Sequence, residues 1–286
     1  MNWPDIADAM FGGLADYGDI LALVSNSVIA GAVLGLVGGL VGVFVMQRDM
    51  AFAVHGISEL SFAGAAFALL VGFDVVTGSI VGSLVAAAII GVLGARARDR
   101  NSIIGVLMPF GLGLGILFLS LYDGRSANRF SLLTGQIVSV QSGQLGWLIA
   151  ISAVVLLGIL LIWRPLRFDS LDPQSAAARG VPTTAVSLAF MLLLGLIVAV
   201  SVHIIGALLV MALLVTPAAA AMRVATGPIA VPVLAAVFGF VSAVGGILLA
   251  IAGTLPVSPY ITTISFLIYL VCRGVGSRRD RVTRAA

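Results

Sequence analysis

Leu21 to Met50 reads LALVSNSVIAGAVLGLVGGLVGVFVMQRDM, and no ionisable side chain interrupts it before Arg48 and Asp49. About 20 apolar residues in a row cross a bilayer as a helix, because hydrocarbon offers backbone amides and carbonyls no partner outside their own segment. The rest of the chain repeats that pattern. Of 286 residues, 60% are hydrophobic and only 9% are charged, and the mean hydropathy is +1.19. So few polar groups cannot cover a soluble surface. Candidate spans run 21–46, 52–71, 76–95, 102–121, 145–163, 184–202, 204–222, 229–252 and 257–273. The expected fold is all-α, a polytopic membrane helical bundle of about nine spans. Eight is the alternative, since the short hinge at His203 leaves room for a re-entrant segment. No segment between spans is long enough to bury a core of its own. Residues 1–286 therefore read as a single transmembrane domain.

Arginine sets the orientation. The chain has fifteen arginines and no lysine, and most stand at the edges of apolar runs. With the C-terminal tail RGVGSRRDRVTRAA in the cytoplasm, alternation puts Arg48, Arg96, Arg98, Arg100, Arg164, Arg167, Arg179 and Arg223 on that side too. Arg125, Arg129, Asp74 and the acidic N-terminus fall outside, as the positive-inside rule requires. The net charge of +3 thus reads as topology in a plasma (inner) membrane protein and not as a nucleic-acid surface. The first 20 residues hold four aspartates and no basic residue, so insertion is expected from the spans themselves and not from a secretory signal. The lone Cys272 excludes a disulfide framework. Glycine runs at 31–42 and 111–115 suit close helix packing in lipid, because small residues let backbones approach.

The chemistry is sparse. Without lysine the chain lacks a P-loop, and it has neither H-E-x-x-H nor G-x-S-x-G. That argues against an enzyme and leaves a channel or transporter component with no resident cofactor. Against this background His55, one of two histidines, and Glu59, the single glutamate, stand four residues apart in MAFAVHGISELSFAGAA (50–66). At that spacing both lie on one helix face. A charge in a span is costly unless it meets a cavity or a partner. Imidazole with carboxylate suits Zn²⁺, Mn²⁺ or Fe²⁺. The same two residues also suit an interhelical hydrogen-bonded pair or a proton relay.

Four stretches resemble the membrane permeases of metal-type ABC importers. Arg48, Asp49 and Met50, followed by the 50–66 helix with Gly64, resemble a family segment in which a basic pair and methionine precede Asp-Ala-x-x-His. Here His55 takes the aspartate position and Glu59 the histidine position, so the ligand types are kept in exchanged order. FDSLDPQSAAARGVP resembles the family's D-P-x-x-A-x-x-x-G segment through Asp172, Pro173, Ala176 and Gly180. On physical grounds that stretch is a short helix, with Asp172 as cap, Pro173 at the first position and Gly180 beyond the end. GALLVMALLVTPAAAAMR (206–223) and LLTGQIVSV (132–140) are similar to two further family segments.

The resemblance implies a type II ABC importer-like permease. It implies a homodimer with the path between its copies, a cytoplasmic ABC ATPase subunit docked on the 172–180 coupling helix, and an extracytoplasmic metal-binding protein above. The cargo it implies is a divalent metal ion, zinc or manganese first, with His55 and Glu59 as transient contacts and His203 as a gate residue or an interfacial anchor. Membrane lipid is the remaining partner, and nucleic acid is not one. The alternatives are a proton-coupled secondary metal transporter, a siderophore or cobalamin-type ABC permease, and a non-transporting scaffold.

Overall fold

The computed structural model describes residues 23–94, 97–122, 140–252 and 257–285, with Gly18 and Leu21. The four N-terminal aspartates, Arg96, Arg125, Arg129, Gly135 and Ile137 lie outside the described residues. The described residues form α1 (Ser25–Gln47), α2 (Ala51–Val71), α3 (Val75–Leu93), α4 (Ala97–Leu121), α5 (Ser142–Leu161), α6 (Trp163–Leu171), α7 (Pro173–Ala178), α8 (Thr183–Ile205), α9 (Ala207–Val224), α10 (Ala230–Ile251) and α11 (Val257–Ala285). No strand occurs among them. Among the described residues eight helices are long and apolar enough to cross a membrane: α1, α2, α3, Asn101–Leu121 of α4, α5, α8, α10 and Val257–Ser277 of α11. The span expected at 204–222 takes the form of α9, whose apolar stretch Leu209–Val224 is shorter than the other eight. The chain breaks between α8 and α9 at Gly206, with φ 83°, and not at His203. A positive φ is open to glycine at little cost and strains a β-carbon-bearing residue, so the helix runs through His203 to the first position that can leave it.

The helices group into two compact units. One comprises α1 as far as Val43, the start of α5 as far as Gly146, and the chain from Ala212 to the end of α11. Here the 31–42 glycine run packs as expected. A β-carbon at Gly35 would strike the carbonyl of Gly239, one at Gly39 the carbonyl of Ala235, and one at Gly42 the carbonyl of Leu214. Spaced near four residues apart, these glycines form one face of α1 on which neighbouring backbones touch.

The second unit comprises Phe44 through α4 and Trp147–Met211. Its centre is α2, packed against α3, α4 and α8. Gly64 of α2 abuts the carbonyl of Gly78, and Gly82 abuts that of Leu60, bringing α2 and α3 into backbone contact. Hydroxyls then fasten the group. The Ser61 and Ser79 oxygens stand 2.7 Å apart, Ser79 donates to the Ala199 carbonyl at 3.1 Å, and Ser58 donates to the Ala207 carbonyl at 3.1 Å. Such bonds hold helices together where no hydrophobic force between them is available.

Candidate functional site

Helix α2 starts directly after a tight turn. Asp49 has φ 52°, the Met50 amide bonds back to the Val45 carbonyl at 2.9 Å, and Met50 is buried. One and a half turns further on, His55 Nε2 lies 3.5 Å from Glu59 Oε1. The pairing expected from the i,i+4 spacing is present. It is longer than a good hydrogen bond, so the two groups face each other without clamping. The Glu59 side chain is 6% exposed and that of His55 27%, and both His55 Nδ1 and Glu59 Oε2 lack a hydrogen bond. Each therefore retains an uncommitted atom in a buried setting where satisfied polar groups are the rule. Gly111 of α4 packs against the backbone of this turn. A β-carbon there would lie 3.0 Å from the Glu59 carbonyl carbon and would meet the Leu60 side chain. Gly115 sits against the Phe62 ring, whereas Gly113 faces open space, so two of the three glycines at 111–115 serve helix contact.

His203 stands elsewhere. It lies in the last turn of α8, half-buried, in the electrostatic reach of Asp74. Asp74 caps α3: Thr77 donates to its Oδ2 through the hydroxyl at 2.7 Å and through the amide at 2.8 Å. Those bonds hold its carboxyl below the usual carboxylate range, and His203 adds a smaller pull in the same direction. Among the described residues no three His, Cys, Asp or Glu side chains converge in a way that would hold a metal ion. His203 is thus not a third member of the His55–Glu59 pair.

The 172–180 helix has the form its sequence dictates. Asp172 Oδ1 accepts from the Ser175 amide at 3.0 Å, Pro173 occupies the first turn, Ala176 is buried, and Gly180 takes φ 80° beyond the end. Bonding to the Ser175 hydroxyl and amide holds the exposed Asp172 carboxyl below its ordinary range. A second helix, α6, precedes it and was not expected, because its Arg-Pro-Leu-Arg start reads as loop. Pro165 falls in the first turn, where its missing N–H costs nothing.

One arrangement escaped sequence reading altogether. Arg48 Nη2 lies 2.8 Å from Asp169 Oδ2 of α6, with side chains 9% and 3% exposed. Arg48 Nη1 donates to Ser170 Oγ at 3.3 Å. The guanidinium also lies over the Phe190 ring of α8, 5.6 Å from its centroid. Arg48 reads from sequence as a cytoplasmic-edge charge, and nothing local selects its partner across 121 residues of chain.

The geometry so far is that of a multi-pass membrane protein with a buried carboxylate facing a half-buried imidazole in one span and a short capped helix between two others. The model of the ABC 3 transport family matches residues 21–275. The chain belongs to that family. It is 30% identical over 225 residues, 78% of this chain and 77% of the relative, to the manganese transport system membrane protein MntC of Halalkalibacterium halodurans. It is 28% identical over 249 residues, 87% of this chain and 89% of the relative, to the manganese import system permease protein ScaB of Streptococcus parasanguinis. Among solved structures, PsaBC from Streptococcus pneumoniae in complex with Fab superposes with a TM-score of 0.80 at 27% identity, covering 91% of this chain and 95% of that one. An inward-facing putative metal-chelate type ABC transporter shares the fold at 19% identity, with a TM-score of 0.69 over 88% of this chain and 85% of that one.

Proposed function

We propose that this chain is the membrane permease of an ABC importer for a divalent transition metal, with manganese the first candidate and zinc the second. The observation that carries the reading is the His55–Glu59 pair: a lone carboxylate and an imidazole, 3.5 Å apart in a span, each with an uncommitted atom. Nitrogen and oxygen donors suit a borderline or hard dication such as Zn²⁺ or Mn²⁺. The carboxylate offsets part of the ion's charge in a medium of low dielectric. Two protein ligands leave coordination positions for water, so the ion is held weakly enough to leave again, as conduction requires. The relatives named for manganese transport favour that ion among those the donors suit.

In this reading energy comes from a separate cytoplasmic ATPase subunit that docks on the 172–180 segment, where Asp172 and Pro173 start α7, the buried Ala176 seats it on the protein and Gly180 turns the chain beyond its end. Metal arrives from a separate extracytoplasmic binding protein, and two copies of the chain enclose the path. His203, near Asp74, stands at a different point of that path from the pair. The test is reconstitution in proteoliposomes with radioactive manganese. Uptake is expected only with the ATPase subunit, ATP and the loaded binding protein. Uptake by this chain alone, driven by an imposed proton gradient, would instead identify a secondary transporter with the same pair as its relay.

A further inference from the structure

The α6–α7 segment is joined to α2 by more than the chain itself. Asp169 stands three residues before Asp172, the cap of α7, and the Asp172 amide bonds the Phe168 carbonyl at 3.0 Å, fixing one helix on the next. On the other side Arg48 is anchored by its own amide to the Phe44 carbonyl at 3.1 Å and leads through the Asp49–Met50 turn straight into α2. The guanidinium forms an ion pair with the Asp169 carboxylate at 2.8 Å, donates to the Ser170 hydroxyl at 3.3 Å and lies over the Phe190 ring. Ser170 is itself fixed, donating to the Leu166 carbonyl at 2.6 Å. Phe44 packs edge-on against both Trp163, at 5.2 Å, and Phe190, at 6.1 Å, closing the surroundings of the charge. Carboxylate, hydroxyl and ring thus approach the guanidinium together.

Stability alone does not account for this pair. Two charges removed from water lose about as much solvation as their attraction returns, and apolar residues of equal volume serve a core as well or better. A buried ion pair does, however, fix two elements in one relative position and resists any intermediate one. We propose that Arg48 and Asp169 are positioning residues, a strut through which displacement of the α6–α7 segment reaches the foot of the helix that carries His55 and Glu59. This rests on the transport reading above, in which α7 receives the ATPase motion. The strut then moves α2 at its first turn, and the continuous helix passes that movement to the pair between one and two and a half turns along.

The experiment measures metal taken up per ATP hydrolysed by the reconstituted permease–ATPase complex, alongside its melting temperature. Three variants are compared: Asp169→Asn, Arg48→Gln, and the apolar double variant Arg48→Met with Asp169→Leu. The single variants leave a buried polar group without its counter-charge and are expected to melt lower. The double variant is expected to melt near wild type, because it removes both charges. In all three, uptake per ATP is expected to fall at least about fivefold while ATP hydrolysis continues, and the double variant is expected to lose no more than either single one, the non-additivity of residues acting as a unit. An unchanged uptake per ATP in the stable double variant overturns the strut and leaves a packing contact. Wild-type complex that hydrolyses ATP without moving manganese or zinc overturns the transport reading, and the strut with it.

Discussion

Glu59 is the only glutamate in the chain, and it sits 6% exposed in a helix that crosses hydrocarbon. A charge at such a depth costs about 2.5–3.5 kcal/mol even by the lenient insertion scales, so its shape and its charge must be tested separately. Glu59→Gln keeps the size and most of the hydrogen bonding. With the anion gone the passing dication loses its counter-charge, and uptake is expected to fall by at least about tenfold, the lower end of what disturbed metal surroundings cost, with expression unchanged. Full uptake of manganese and zinc at limiting concentration would make the pair an interhelical tie. Exchanging the two residues, His55→Glu with Glu59→His, is expected to recover part of the loss, since both donor types return to the same face. The pair was legible because it is local: four residues apart in a predicted helix is enough to place two side chains together. The Arg48–Asp169 pair was not. Read singly, each charge marks a membrane edge, and only the folded arrangement of α6 brings the carboxylate to the guanidinium.

At the scale of elements, α7 shows which signals survive without an alignment. Its cap, its first-turn proline and its terminating glycine act within a few residues of backbone, so six residues of helix could be bounded from sequence alone. Asparagine caps as well as aspartate. Asp172→Asn is therefore expected to leave uptake within about twofold of wild type, whereas Asp172→Ala, which removes the acceptor for the Ser175 amide, is expected to lower uptake further without reducing membrane insertion. The pH dependence follows from the depressed carboxyl. Its stabilising contribution is complete above the ordinary aspartate value of about 3.9 and is lost only as pH falls through the lower folded value. Between pH 5 and 8 the uptake profiles of wild type and Asp172→Asn are expected to run parallel, and a divergence there would show that the charge itself, beyond the cap, is sensed. The expected break at His203 failed for a related reason. Histidine interrupts an apolar run without breaking a helix, and the residue able to turn the chain was Gly206, three positions on.

Over the whole molecule the spans were the most legible feature, because hydrocarbon thickness imposes their length. What sequence left open was how the apolar stretch at 204–222 is used, since α9 is shorter than its neighbours. Reporter fusions at residues 1 and 286 decide that. Opposite sides are expected if α9 crosses, and the same side if only the eight longer helices do. The last helix adds a constraint on motion. Val257–Ala285 is 29 residues long, about 43 Å at 1.5 Å per residue, against a hydrocarbon layer of about 30 Å. Its final eight residues lie beyond the apolar stretch that ends at Ser277, and they include Arg278, Arg279, Arg281 and Arg284. Drawing each of those into the hydrocarbon interior would cost about 2.5–3.5 kcal/mol. During any transport cycle these arginines therefore oppose a piston-like slide of α11 toward the opposite face, and the same cost does not arise for motions that keep its end out of the hydrocarbon.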